Sequence, residues 1–481
     1  MAVETINNQQ TGLEEIIGKV FEEQRVTSLS LRQERYQERI KRLNKIKNWI
    51  ETNRKKIQKA VYQDFKKPSV EVDISEIHPV LSEIKHFKSH LKSWVKPKKV
   101  DAPLTMLGTS SRITYEPKGV CLIIAPWNYP FNLTIAPLVS ALAAGNTAIL
   151  KPSEMTPHTS ALITAMIGEL FNKNEVAVFE GGAHVSKALL SMPFDHIFFT
   201  GSPAIGKLVM KAAAENLTSV TLELGGKSPA IVDETANLKD TAEKLVWGKF
   251  LNNGQTCIAP DYLLIHEKVK DRFIELFKSY TEKLYNSNGE GYSQSDSYAR
   301  IVNERHFDRM TNLIDDAIRN GAKVEMGGEA QRDDAFIPPT LLTEVPADAQ
   351  VMEEEIFGPI LPVVTFSNLD ETINIVNDKP KPLALYVFSR RKKNIDHVLT
   401  NTSSGGACIN ESVIQFSHNN LPFGGVNNSG IGKAHGYHGF LAFSNEKSVL
   451  KQRIGFTGVK LMYPPYSRRV KGMVTFLLKY F

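Results

Sequence analysis

The chain has 481 residues, 42% of them hydrophobic, enough to bury large cores and to form two to four domains of roughly 150 residues each. Its 58 basic and 52 acidic residues leave a formal charge of +6, too small an excess to mark a nucleic-acid partner. Three cysteines, Cys121, Cys257 and Cys408, are too few for a disulfide framework and suit a reducing compartment, so a cytoplasmic location is expected.

The opening MAVETINNQQTGLEEI lacks the apolar core of a signal peptide, and no apolar run reaches the roughly 18 residues of a membrane span. Between Leu31 and Lys66, Ile40, Leu43, Ile46, Ile50, Ile57 and Val61 recur at helical spacing. The lysines and arginines between them are therefore expected on the wet face of amphipathic helix. From about Gly119 the pattern becomes apolar strands alternating with helices. GVCLIIAPWNYP reads as a buried strand and loop, NLTIAPLVSALAAGN as a helix closing at Gly145, and TAILKPSE as a second strand. Thr156 and Pro157 read as N-cap and first residue of a helix running through Phe171. EVAVFEGG and DHIFFTGS follow as strands, PAIGKLVMKAAAENL as a helix opening on Pro203, and SVTLELGGKSPAIVD as a further apolar segment.

A second alternating region runs from about Leu224 to Asn410, with YNSNGEGYSQSDS as a surface loop inside it. Strict alternation implies α/β domains built on parallel sheets covered on both faces, with ligands beyond the carboxyl ends of the strands. The junction near Glu223 and Leu224 is expected to form a cleft. No CxxC or HExxH pattern occurs and the 12 histidines are scattered, so no metal site is expected.

Four places carry chemistry. In FLNNGQTCIAP, Cys257 follows the small polar run from Asn252 to Thr256, which favours a reactive thiol in polar, exposed surroundings over a packing role. Cys121, inside VCLIIA, reads as packing. Glu223 ends an apolar strand before Gly225 and Gly226, where partial burial would raise a carboxyl towards the range of a general base; a strand-end salt bridge is the competing reading. In FTGSPAIGK, Gly201 and Ser202 end a strand and Gly206 lies on the first turn of the next helix, so helix-terminal N–H groups could face a pyrophosphate, or the turn could be only a cap. In TAILKPSE, Lys151 and Glu154 could meet ribose hydroxyls or form a solvated strand end.

Taken together, PWNYP, KPSE, FTGSPAIGK, LELGGKSP, NNGQTC, EEEIFGP and LPFGGVNNSGIGKAHG stand in the order and approximate spacing of the NAD(P)-dependent aldehyde dehydrogenases. The chain resembles that family over nearly its whole length from about residue 10. PWNYP, KPSE and the ending HGYHGFLAFSNEKSVL resemble its class 3 branch, which includes fatty and medium-chain aldehyde enzymes.

The resemblance implies a Rossmann-like NAD(P)-binding domain of residues 1–95 and 118–224 and a second α/β catalytic domain of residues 225–412. A bridging and oligomerisation element of residues 96–117 and 413–481 completes the chain. It makes Cys257 the nucleophile, Glu223 the general base and Asn128 the side-chain donor to the oxyanion. Gly201, Ser202 and Gly206 would lie near the pyrophosphate, Lys151 and Glu154 near the adenosine ribose, Trp127 and Gly225 in the nicotinamide pocket, and Glu355 and Phe357 at the nicotinamide end. Glu154 favours a free 2′-hydroxyl while Lys151 tolerates a phosphate, so NAD or NADP would serve. Asn427 and Asn428 replace residues that are often small.

Three alternatives compete with the hydrolytic enzyme. A CoA-acylating enzyme or an acyl-phosphate reductase must keep its acyl group from water, which Glu223 argues against. A catalytically silent relative would not need Cys257, Glu223 and Asn128 together. The expected partners are an aldehyde and a second copy of the chain, with no nucleic acid. The tail YPPYSRRVKGMVTFLLKYF joins basic Arg468, Arg469 and Lys471 to an apolar cluster of Met473, Val474, Phe476, Leu477, Leu478 and Phe481. It is expected to cover apolar surface near the substrate entrance of a soluble homodimer; a membrane-surface contact is the less favoured reading.

Overall fold

The computed structural model describes residues 2–106, 108–455 and 457–480. Largely apolar strands such as Val120–Ile124, Thr147–Lys151 and His196–Thr200, buried along their whole length, anchor a fold of two large sheets and one small one. Strands Val120–Ile124, Thr147–Lys151, Val176–Val178, His196–Thr200 and Ser219–Glu223 are mutually parallel. In space they run third, second, first, fourth, fifth, the order of a doubly wound dinucleotide-binding sheet, with the switch point between Val120–Ile124 and His196–Thr200. A two-residue strand from the far end of the chain, Gly430–Ile431, adds to the outer edge antiparallel to Ser219–Glu223.

The second sheet has seven strands: Lys323–Met326, Thr340–Thr343, Ile360–Phe366, Tyr262–His266, Pro229–Val232, Ala384–Phe388 and Gly406–Ile409. All are parallel except the edge strand Lys323–Met326. The segment SVTLELGGKSPAIVD is thus two strands rather than one, because the glycine pair Gly225–Gly226 lets the chain leave the first sheet and enter the second. A small antiparallel sheet pairs Thr109–Pro117 with Ser444–Gln452 along their whole length, with Lys98–Val100 outside.

One face of the first sheet is covered by helices Asn132–Ala144 and Pro157–Leu170, against which Tyr36–Phe65 and His78–Trp94 pack. Leu43, Ile46, Ile50, Ile57 and Val61 face that core, as their spacing requires. Two details differ from the sequence reading. Arg39 is buried rather than wet, because its guanidinium donates to the Ala144 carbonyl (2.8 Å) at the carboxyl end of Asn132–Ala144, where helix carbonyls lack partners. The Pro157–Leu170 helix is capped not by Thr156 but by Asp64 from the neighbouring helix, whose carboxylate accepts the N–H groups of His158 (3.0 Å) and Thr159 (2.9 Å).

Residues Arg468–Tyr480 form a helix none of whose residues is fully buried within its own chain; Val470, Met473 and Leu477 are half-buried, and the helix packs beside the Gly458–Met462 turn. Phe476, Leu478 and Tyr480 stand exposed, and Phe481 lies outside the described residues. Among the described residues no helix is long and apolar enough to cross a membrane.

Because no residue of the tail helix is fully buried in one chain, deleting residues 466–481 should shift the thermal midpoint of the isolated subunit by less than about 2 °C, the size of a sub-kcal change for a large domain. Differential scanning calorimetry in dilute solution checks this; a fall of about 5 °C or more would show that the helix supports the body.

Candidate active site

Cys257 follows the Leu251–Gly254 turn, in which Asn252 and Asn253 adopt left-handed backbone with φ of 54° and 56°. Asparagine accepts that conformation more readily than most side chains. The loop is not exposed, as its polarity suggested: Asn252, Asn253 and Gln255 are fully buried. Burial is tolerated because each amide reaches backbone carbonyls. Asn252 Nδ2 donates to Asn128 O (2.8 Å) and Gln255 O (3.1 Å), Asn253 Nδ2 to Ala299 O (2.8 Å), and Gln255 Nε2 to Asn252 O (3.0 Å) and Arg300 O (2.9 Å).

The Cys257 thiol itself is half-buried. Burial, followed by the charges of Glu355 and Glu223, pushes it up to about 12, while the N–H groups of Cys257 and Ile258 pull the other way. Cys121 is buried in the first sheet as packing, its thiol raised further by burial.

Two cavities meet at Cys257. One, of about 80 Å³, is walled mainly by apolar side chains, among them Ala136, Phe198, Leu251, Ile258, Phe416 and Phe423. The other, of about 540 Å³, opens along Pro126, Trp127, Gly201, Ser202, Gly225, Glu355 and Phe357. Leu133, Thr200, Glu223, Leu224 and Cys257 line both.

Glu223, the last residue of its strand, is buried, and among the described residues neither carboxylate oxygen has a hydrogen-bond partner. Burial drives this carboxyl well above the usual range, with the charge of Lys433 opposing it. The strand-end salt bridge is not formed among the described residues, since Lys433 Nζ donates to the carbonyls of Gly424 (2.5 Å) and Gly425 (3.1 Å). Asn128, also buried, donates one amide N–H to Gln255 O (3.0 Å) and retains the second.

In the larger cavity the Trp127 ring meets Phe357 edge to face (centroids 5.3 Å apart) and His306 (4.9 Å). Glu355 approaches Gly225 so closely that a Cβ there would lie 2.3 Å from its carboxylate, so a larger residue would displace the Glu355 side chain. Burial and the charge of Asp261 push the Glu355 carboxyl up to about 8. Arg309 fixes this segment by donating to the carbonyls of Glu355 (3.1 Å) and Ile356 (2.5 Å), and Lys227 by pairing with Asp261 and donating to Glu354 O (2.8 Å).

Ser202 caps the Pro203–Glu215 helix, accepting the Ile205 N–H (3.4 Å), and the helix N-terminus borders the cavity. Gly206 lies deeper: its N–H is bound to Ser202 O (2.9 Å), and a Cβ would strike Leu224 at 2.7 Å, so this glycine serves close helix–strand packing. Lys151 and Glu154 stand outside the cavity lining and pair with each other at 2.5 Å. Asn427 occupies a left-handed position (φ 54°) and accepts from Lys381 Nζ (2.9 Å), while Asn428 lines the cavity.

The structure therefore gathers Cys257, Glu223, Asn128, Trp127, Gly201, Ser202, Gly225, Glu355 and Phe357 around one space. His306, Arg309, Lys227 and Lys433 were not singled out from sequence. Only Lys227 and Lys433 stand within quoted motifs, LELGGKSP and LPFGGVNNSGIGKAHG; His306 and Arg309 sit on a surface-type amphipathic helix that carries no local signal.

The fold and site define a dinucleotide-dependent oxidoreductase with a thiol set between a cofactor cleft and an apolar substrate cavity. The chain belongs to the aldehyde dehydrogenase family, whose sequence model matches residues 3–449. It is 44% identical over 457 residues to 4,4'-diaponeurosporen-aldehyde dehydrogenase of Staphylococcus aureus (strain NCTC 8325 / PS 47), spanning 95% of this chain and 96% of that one. It is 41% identical over 445 residues to aldehyde dehydrogenase family 3 member A2 of Pongo abelii, spanning 92% and 90%.

Among solved structures it superposes on Staphylococcus aureus AldH in a substrate-bound state with a TM-score of 0.91 at 42% identity, covering 96% of this chain and 99% of that one. PnpE in complex with nicotinamide adenine dinucleotide matches with a TM-score of 0.83 at 27% identity, covering 91% and 90%. The protein is an NAD(P)-dependent enzyme of the class 3-like branch that oxidises aldehydes.

Below a thiol pKa of about 12 the thiolate fraction grows about tenfold per pH unit. Alkylation of Cys257 by iodoacetamide in cofactor-free enzyme, followed by peptide mass spectrometry, should be slow at neutral pH and rise steeply into the alkaline range. A rate that levels off near neutral pH would show a thiol activated in the resting site.

Proposed function

We propose that the enzyme converts apolar aliphatic aldehydes to carboxylic acids through an acyl thioester on Cys257, and that Glu223 activates the water that releases the acid. The observation that carries this reading is the position of one sulfur. Cys257 lines both cavities, so a carbonyl carbon from the apolar side and a hydride acceptor from the cleft meet at the same atom.

Bound NAD(P)+ supplies the hydride acceptor. The Cys257 S–H proton passes to a water molecule of the cleft as the sulfur adds to the carbonyl carbon, and the carbonyl π pair moves onto oxygen. That oxyanion lies between the Cys257 N–H and the free amide N–H of Asn128. When the carbon's hydrogen departs with its electron pair, the C=O bond re-forms and the acyl group remains on sulfur. Water then gives a proton to Glu223 and adds to the acyl carbon; the C–S bond breaks, the acid leaves, and the departing thiolate takes the proton from Glu223, which restores the thiol. A carboxyl raised by burial suits this step, because its conjugate base is stronger than an exposed glutamate.

The Gly225 gap under Glu355, the capped helix terminus at Ser202 and the Trp127–Phe357 wall fit a dinucleotide. Ser202 and the helix N-terminus, opened by Gly201, take the pyrophosphate, with Gly206 setting the helix close to the strand. Trp127 and Gly225 flank the nicotinamide, Glu355 and Phe357 hold its ribose end, and Lys151 with Glu154 meets the adenosine ribose.

Residues 1–95 and 118–224 form the cofactor domain, 225–412 the catalytic domain, and 96–117 with 413–481 the bridging element of a cytoplasmic homodimer. The exposed apolar side chains of the tail helix support a partner-facing role for it.

Glu223→Gln should separate the two half-reactions: with aldehyde and NAD(P)+ it should release a burst of up to about one equivalent of reduced cofactor per site and then stall. Loss of the burst in stopped-flow absorbance would move Glu223 to thiol activation. Asn128→Ala should slow the burst about 10² to 10³-fold, the usual effect of one oxyanion donor. An unchanged burst rate would place the donor elsewhere.

A further inference from the structure

We infer that Lys67, paired with Glu76, is a positioning residue that holds the oxyanion donor Asn128 against the Cys257 loop; this rests on the role proposed above for Asn128. Both side chains are wholly buried and pair at 2.8 Å. A buried ion pair seldom repays its desolvation in stability alone, so its other contacts are informative.

Lysine has three N–H donors, and Lys67 directs them to Glu76, to the Asn128 carbonyl (3.1 Å) and towards the face of the Tyr129 ring (4.0 Å to its centroid). Two of those three partners lie in PWNYP. Tyr129 in turn bonds Thr256, the residue before the nucleophile, through its hydroxyl (2.6 Å). Glu76 uses its second oxygen to accept the Asn132 N–H (2.9 Å), fixing the start of the helix that follows PWNYP.

The same short segment also reaches the thiol loop. Glu71 accepts the N–H of Asn252 (2.7 Å), and Asn252 donates its amide to the carbonyls of Asn128 and Gln255. The wide π-turn Asp73–Ile77 shifts the helical phase between Glu71 and Glu76, so that the two carboxylates serve different strands of the site. Lys67, Glu71 and Glu76 therefore register the oxyanion donor against the nucleophile from outside the cavity. None of the three lines either cavity.

The test is a double-mutant cycle on burst rate, with the KM for cofactor and the thermal midpoint measured alongside. The pair is replaced by K67M/E76L, an apolar pair of similar volume, and by K67Q/E76Q, which keeps hydrogen-bonding groups; each is read with Asn128 present and in an N128A background. The apolar pair should slow the burst at least about 30-fold with Asn128 present and less than about threefold in N128A, because the donor it positions is already gone. The amide pair should recover to within about fivefold of wild type, and the KM for cofactor should stay within about twofold. If the apolar pair does not fold, K67M/E76Q, which keeps an acceptor for the Asn132 N–H and removes the donor to the Asn128 carbonyl, is read in its place by the same criteria. Equal losses in both backgrounds, or none with Asn128 present, overturn the proposal. A burst rate that N128A alone leaves unchanged refutes the role of Asn128 itself, a separate outcome.

Discussion

A carboxylate held in desolvated surroundings where two cavities meet is the constraint around which this site is arranged. Burial disfavours its charged form, so the position of Glu223 has to be set by its backbone. It is paired through Thr200 on one side and through Gly430 on the other, and Gly201 N–H donates to its carbonyl at 3.0 Å. The glycine-rich return LPFGGVNNSG exists to make that second contact. A Cβ at Gly430 would lie 2.4 Å from the Leu222 carbonyl, and one at Gly424 would crowd the Glu223 carboxylate at 3.0 Å. The far end of the chain is thus needed to complete a site whose nucleophile lies more than 160 residues earlier, because Cys257 and Gly424 are joined only by folding.

The same desolvation governs the nucleophile. Cys257 sits close enough to Glu223 and Glu355 for their charges to oppose its ionisation, yet both carboxyls are themselves raised by burial and carry less charge near neutrality than exposed glutamates would. Three acidic groups around one junction restrain one another. Cys257 stays within reach of both cavities even as its surroundings disfavour the thiolate. The burial that makes the thiol quiet also makes Glu223 basic enough to act on water, so one physical cause serves both halves of the reaction.

Much of this was legible because strands and site motifs coincide: the alternating pattern from Gly119 onward placed PWNYP, FTGSP and LELGG at strand ends, where open sheets bind ligands. Glu223 could be read as a base, but the choice between base and salt bridge turned on where Lys433 points, a fact of tertiary structure. The polar run before Cys257 misled in the opposite sense. Its asparagines and glutamine looked solvated, and their amide N–H groups are instead taken up by the carbonyls of Asn128, Ala299 and Arg300, contacts that no local spacing reveals. Arg39 and Lys67 follow the same rule, since a basic residue in an amphipathic helical region is expected wet unless a distant helix end or carboxylate calls for it. The tail helix has an apolar face legible from composition, but what covers that face is not encoded within one chain.

The central claim is that Cys257 carries the acyl group and Glu223 unloads it. Intact-protein and peptide mass spectrometry of the Glu223→Gln enzyme, quenched in acid after exposure to an aliphatic aldehyde and NAD(P)+, tests it most directly. The account predicts a mass increase equal to the aldehyde less two hydrogen atoms, located on the peptide containing Cys257 and removed by hydroxylamine. An increase equal to the whole aldehyde, a label on another residue, or an unmodified protein after reduced cofactor has formed would contradict it.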